Sequence, residues 1–488
     1  MSPTNPLGRG SGLLRRIPFG STDEMEHGGA LHRTLGLWQL TAIGLGAIIG
    51  AGIFSLAGAV AHDIAGPGVT LSFLIAGAAS AAAALCYAEF AGLIPQAGSA
   101  YTYGYAVLGE LAGWLIGWDL LLEYTAIVAV VAISVSGYAN FLLQNLGVQL
   151  PTWMLGAPGT GEGHRVDLLA MVLCLLITFL LSRGIKSSAR TETVLVGLKV
   201  ALVVAVIVVG AFYFDADNLH PYLPHGFGAT VTGAATVFFA VFGYDAMTTA
   251  AEESRNPSRD LPRAILISLA IAMVLYVLAA TVLTGMQPSA ALHPESAFAH
   301  AFAAVGLDSF AEILAVGAIL GIVTAMFAQL LGASRIAYAM SRDGLLPRWF
   351  ARVDAKRQVP ARPTWLLGVI AAGIAGFSPI VTAAELTNIG ILMAFVVVCA
   401  AVIVLRFRAP DLPRKFRTPW VPLVPLLGIG FSLYLISKLQ PLTWLRFGVW
   451  VALGLTVYGF YGYRNSRLAT ASGQPDGQQE NTQNPVGS

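Results

Sequence analysis

Four ionisable residues sit inside otherwise apolar runs, where a charge has no water to solvate it: Glu89, Glu123, Lys199 and Asp245. A charged side chain at the centre of a bilayer costs at least about 2.5–3.5 kcal/mol, so each is a candidate for carrying a proton or contacting a polar ligand. Lys199 has two readings. Its long stem could snorkel to the headgroups from near the start of its run, or its ammonium could be buried against the first apolar run, where a coupling cation would otherwise sit, and exchange a proton there. Glu123 and Asp245 could bond across packed helices or line a pocket for the polar or cationic end of a ligand. Asp119 shares a helical face with Glu123 at i, i+4, where like charges repel, so one of the two is expected nearer the aqueous end or neutralised by a partner, with Asp119 the exposed one. Glu89, near the end of its run, is expected to be structural.

Bare backbone is the second source of chemistry. Between Gly44 and Gly52 the first apolar run carries Gly44, Gly46, Gly50 and Gly52, although glycine in a helix interior costs roughly 1 kcal/mol against alanine. Gly46 and Gly50 form a G-x-x-x-G pair that lets another helix approach closely. The same run could instead be unwound at Gly50-Ala51-Gly52, with free amides facing a cavity at mid-membrane depth. A second run, Phe238 to Asp245, places Gly243 beside a carboxylate and is followed by Glu252 and Glu253. Paired interruptions at corresponding positions of two halves point to the binding site of an inverted-repeat transporter. The glycine spacing does not fit a dinucleotide fingerprint, and no cofactor is expected.

These residues need elements to hold them, and the composition says which. Of 488 residues 56% are hydrophobic and only 11% charged, against about 25% charged in a soluble domain. A helix needs about 20 apolar residues to cross a bilayer, and the chain offers about twelve such stretches: 37–60, 69–94, 110–143, 166–182, 192–213, 230–251, 263–286, 309–340, 364–380, 384–405, 421–438 and 443–463. The fold class is therefore all-α, a polytopic membrane protein of 12 transmembrane helices. Of the 28 Lys and Arg, only Arg165, Lys438 and Arg446 fall outside the loops assigned to the cytoplasm, with Lys199 inside a span. That asymmetry puts both termini inside. A net charge of +2 without a dense basic run excludes a nucleic-acid partner. Cys86, Cys174 and Cys399 stand alone in apolar stretches as small core residues. No cleavable leader is expected at the N-terminus. Residues 1–36 read as a cytoplasmic arm, 37–214 and 215–408 as two five-helix halves, 409–466 as two further helices and 467–488 as a disordered tail.

Seven ordered motifs carry a resemblance that covers almost all of 34–464: Gly46 to Phe54, Pro95 to Tyr103, Leu122 to Tyr124, Gly184 to Arg190, Phe239 to Asp245 with Glu252 and Glu253, Tyr338 to Pro347, and Asp411 to Pro419. The chain resembles the amino acid–polyamine–organocation superfamily and within it is similar to the bacterial cationic amino-acid transporters. The resemblance implies a 5+5 inverted repeat, the LeuT-like fold, with two extra helices and alternating access. It implies that amides of Ala51 and Gly52 hold a substrate carboxylate and that carbonyls of Ile48, Phe239, Ala240 and Phe242 meet its ammonium. Phe239 matches an aromatic gate, Lys199 the lysine that replaces sodium in proton-coupled members, and Glu123 and Asp245 polar pocket residues. Ala51 stands where many relatives have Ser or Thr, and Val241-Phe242 reverses the usual aromatic-then-aliphatic order.

The resulting expectation is a proton-coupled importer of a cationic or neutral amino acid in the inner (plasma) membrane, with a small accessory membrane subunit left open. Amino acid/amine exchange without ion coupling fits the broken helices equally. A membrane-embedded enzyme is the remote alternative, since neither H-E-x-x-H nor G-x-S-x-G occurs.

Overall fold

The computed structural model describes residues 35–93, 107–184, 189–244, 254–352 and 359–467, with 101, 104, 105 and 247 besides. The N-terminal arm up to residue 34, Asp245, Glu252, Glu253 and the tail from residue 468 lie outside the described residues. Regular structure among the described residues is helical, with only isolated bridges such as Leu35 to Ser254. Among the described residues seven helical stretches are long and apolar enough to cross a membrane; the first, Leu37–Leu93, is a run of several helices, and four more apolar helices are shorter.

In chain order, α1 is Leu37–Ile48 and α2 spans 52–65, wound as π-turns Gly52–Leu56 and Ala61–Ala65 around Ala57–Val60. Next come α3 Val69–Leu93, α4 Glu110–Asn145, α5 Leu168–Ser182 and α6 Ala189–Gly210. Then α7 is Gly226–Val237, α8 Pro257–Met286, α9 the short Ala297–Ala304, and α10 Asp308–Arg342. The chain closes with α11 Ala361–Phe377, α12 Ile380–Arg408, α13 Leu423–Ile436 and α14 Pro441–Val457.

Two packed sets emerge. One joins α1, α3, α7 and α8, and the other joins α4, α5, α10 and α11. Helices α6 and α12 touch members of both sets. The centre belongs to α4, which is apolar all round and buried from Gly113 to Tyr138 with few exceptions, the signature of a core helix. Its 36 residues rise about 54 Å. At the periphery the burial is one-sided: α14 exposes Leu445, Val449 and Leu453, and α6 exposes Val204 and Val208. Such a girdle is unfavourable in water and natural in lipid.

Local chemistry sets the ends. Asp167 caps α5, accepting from the Ala170 amide at 2.9 Å and from the Ser136 hydroxyl at 2.6 Å, which satisfies a first-turn donor. Glu89 at the end of α3 pairs with Arg406 at 2.7 Å and Arg414 at 2.9 Å, and accepts from the Thr418 amide at 2.8 Å. A fully buried carboxylate needs such neutralisation, so Glu89 ties the loop after α12 to the bundle. The expected exposure of Asp119 is not found. Asp119 is buried as Glu123 is, because α4 runs through the centre, and its carboxylate faces Gly390 of α12.

Candidate functional site

Two helices stop in the middle of the first packed set. At its end α1 gives way to extended backbone at Ile49 (φ −74°, ψ 104°), and helical winding resumes at Ala51. The interruption therefore lies at Ile49-Gly50, slightly before the expected Gly50-Ala51-Gly52. Helix α7 tightens into the 3-10 turn Phe238–Val241, then Phe242 is extended (φ −100°, ψ 171°) and Gly243 takes φ +120°. A residue with a Cβ is strained at that angle, and a Cβ on Gly243 would stand 2.8 Å from the Ala47 carbonyl oxygen. The two interruptions thus touch, and a second contact sets Gly52 against Ala240.

The glycines of α1 divide between both sequence readings. Gly44 leaves room for Met247 and Gly46 for Val196, whereas a Cβ on Gly50 would meet nothing within 4 Å. Close packing explains the first two and open space the third.

Breaking a helix orphans carbonyls at the end of its first half and amides at the start of its second. Carbonyls at and near the two breaks are met by side chains from five other helices. Lys199 Nζ on α6 donates to Gly46 O at 3.0 Å, and Tyr276 on α8 donates to Ile48 O at 2.7 Å. Tyr138 on α4 donates to Phe54 O at 2.6 Å. Beside the second interruption, Ser80 on α3 donates to Val241 O at 3.2 Å, and Asn388 Nδ2 on α12 to Ala235 O and Thr236 O at 2.8 and 2.7 Å. Interrupted backbone at this depth persists only where protein supplies such partners.

Lys199 does not snorkel. It is 2% exposed, and its stem lies against Gly321 of α10, where a Cβ would come within 2.8 Å of the lysine Cγ. Its ammonium is turned inward to α1.

A small cavity lies between the interruptions, lined by Ala47, Ile48, Gly50, Ala51, Phe239, Phe242 and Gly243, and on the opposite wall by Ile127 and Val131 of α4 and Ala325 and Gln329 of α10. Its free space is about 20 Å³, roughly one water, so a larger ligand requires the walls to part. Of the residues singled out in the sequence, Ile48, Ala51, Phe239 and Phe242 line it. Gly52 and Ala240 touch each other at its edge. Glu123 is fully buried one helical turn from Ile127, off the lining, and Asp245 lies outside the described residues.

Sequence reasoning missed Tyr138, Tyr276, Ser80, Asn388 and Gln329. Only Asn388 and Gln329 leave a signal, as amides within apolar spans, and they carry no charge to mark them.

The amino acid permease family matches residues 35–452 of the chain. The methylthioribose transporter of Bacillus subtilis (strain 168) is 44% identical over 458 residues, 94% of this chain and 99% of that protein. The branched-chain amino acid permease BcaP of the same strain is 44% identical over 445 residues, covering 90% and 95%. The vacuolar cationic amino acid transporter 4 of Arabidopsis thaliana is 38% identical over 413 residues, 82% and 68% of the two chains.

Proposed function

The chain belongs to the amino acid permease family of multi-pass membrane transporters, and on that premise we propose that it imports an amino acid with a proton by alternating access. The observation that carries the proposal is the pair of touching helix interruptions around a cavity, with a buried lysine bonded to one of them. We further propose twelve crossings arranged as a 5+5 inverted repeat plus two helices, both termini at the cytoplasmic face, and residence in the plasma membrane.

In this reading the substrate carboxylate meets the first-turn amides of Ala51 and Gly52, at the positive end of the helix that begins there. The ammonium meets carbonyls at the ends of α1 and α7, among them those of Ile48 and Phe242, with Phe239 the moving lid. Lys199 couples the proton. When charged it holds the Gly46 carbonyl by a charge-assisted bond; on losing its proton it loosens α1 from α6 and lets the cavity change sides.

The wall facing these backbone groups favours an uncharged side chain. Ile127, Val131 and Ala325 are apolar, Gln329 is neutral, and no carboxylate is present in the lining among the described residues. A cationic side chain pressed there would lose water without gaining a counter-charge. BcaP is named for branched-chain substrates, which agrees with this preference.

Proteoliposome uptake tests the whole. Leucine uptake is expected to rise with an inward proton gradient, to be competed by isoleucine, valine and methionine, and to resist arginine. Lys199→Ala is expected to flatten its dependence between about pH 5 and 8. Unaltered pH dependence in that variant removes the lysine's role, and competition led by arginine removes the uncharged-substrate reading. Saturable uptake of methylthioribose in place of any amino acid overturns the assignment. Counterflow in vesicles with and without internal substrate separates symport from exchange.

A further inference from the structure

Two helices bridge the packed sets, and each extends one fully buried polar side chain to the last turn of an interrupted helix. From α6, Lys199 reaches Gly46 O, close before α1 ends at Ile48. From α12, Asn388 reaches Ala235 O and Thr236 O, close before α7 tightens beyond Val237. Both side chains donate, and the three accepting carbonyls lie close to the ends of their helices. The difference is chemical. An ammonium gains and loses a proton, whereas a carboxamide keeps its donors at every physiological pH.

We propose that Asn388 is the positioning residue that locks α7 to α12, a tie without a titratable group that holds closed the side of the cavity at which α7 begins. Two hydrogen bonds from one amide to the last turn of α7 fix that half-helix against α12. Parting the walls on that side breaks both bonds and leaves two carbonyls and an amide in an apolar surround, which holds the closed state. The first half is tied by a group that protonation controls and the second by one that it does not. Proton exchange therefore acts on the α1 side, and the α7 side answers to substrate. This rests on the alternating-access reading above.

Neighbouring acids do not perform the same task. Glu385 accepts from Thr443 Oγ1 at 2.7 Å and from the Gln440 amide at 3.3 Å, and Asp119 faces Gly390 rather than α7.

The test reads accessibility first, so that it does not depend on substrate or coupling ion. A cysteine at Gly50 (Gly50→Cys) has open space and lines the cavity, and the native cysteines are buried. In vesicles of known orientation, Asn388→Ala is expected to raise labelling of Gly50→Cys by an impermeant maleimide about tenfold from the side at which α7 begins, the scale of one to two lost hydrogen bonds. Equal labelling with and without the alanine overturns the proposal. Asn388→Asp supplies a second readout. Protonated, it still donates to one carbonyl; ionised, it repels both, so this variant adds a further loss of uptake with rising pH to the one the parent shows. A parental pH profile in a folded Asn388→Asp protein overturns the proposal as well. Should uptake fail for every amino acid while labelling responds as expected, the transport reading falls and the latch stands.

Discussion

Single residues here are constrained by backbone more than by side-chain chemistry. Gly243 is the sharpest case, because its positive φ and its approach to Ala47 leave no place for a Cβ. Gly243→Ala is expected to destabilise the fold by about 1–3 kcal/mol and to lower both the melting temperature in detergent and uptake. Gly50→Ala, with open space around it, should fold normally and raise KM by narrowing the cavity, so the two glycines separate by thermal shift against kinetics. The sequence made both glycines conspicuous. It could not say which one met space and which met a carbonyl, since that depends on a helix some two hundred residues away. Lys199 was legible as a buried charge, yet its partner was not, because a backbone carbonyl has no sequence signature. Tyr276 and Tyr138 were hidden for the same reason: as aromatics in apolar spans they look like packing residues until their hydroxyls are seen on Ile48 O and Phe54 O.

Elements follow the apolar runs closely where a run is uninterrupted, as in α3, α8 and α12, since hydropathy and length decide a spanning helix. They depart where the chain changes its winding. The π-turns of α2 and the 3-10 turn after α7 are set by contacts such as Gly52 against Ala240, which no periodicity reports. Ion pairing between elements was also only half visible. Glu89 was readable as structural, but its partners Arg406 and Arg414 stand far along the chain. Glu89→Gln leaves two arginines without their buried counter-charge, and is expected to cost about 3–5 kcal/mol and to release the loop between α12 and α13 to proteolysis at sites after Arg408. A ladder of indoles performs the equivalent task for α14: Trp118 and Trp450 stack at 4.5 Å and each donates its N–H to the other's carbonyl, at 2.9 and 3.1 Å.

For the whole molecule, stability has a pH response of its own, separate from the coupling proposed at Lys199. The segment carrying α9 lies over α2 and α4, with Ala297 against Gly58 and Glu295 against Gly137. In it His293 and His300 stack with ring centres 3.8 Å apart, and His300 also meets Phe141 and Ser296. Burial, and for His300 the neighbouring His293, hold both imidazoles below the usual histidine value, His300 down to about 4. The fold thus favours neutral rings, so its stability is kept above the ordinary histidine range and falls as pH drops from about 6.5 towards 4. His300→Gln is expected to reduce that acid-side fall in melting temperature and to leave the neutral-pH value little changed. Such losses would otherwise be mistaken for coupling at Lys199. The burial of α4 on every side has a consequence for biogenesis. A ribosome delivers it long before α10 and α12, which pack along it, α12 with Gly390 against Asp119. Until those helices arrive the buried carboxylates Asp119 and Glu123 lack neighbours of the finished fold, and the nascent helix is expected to be held at the insertion machinery until the C-terminal half follows. Chains ended ahead of α10 are expected to be cleared by quality control, with pulse-chase lifetimes well below those of the full-length protein.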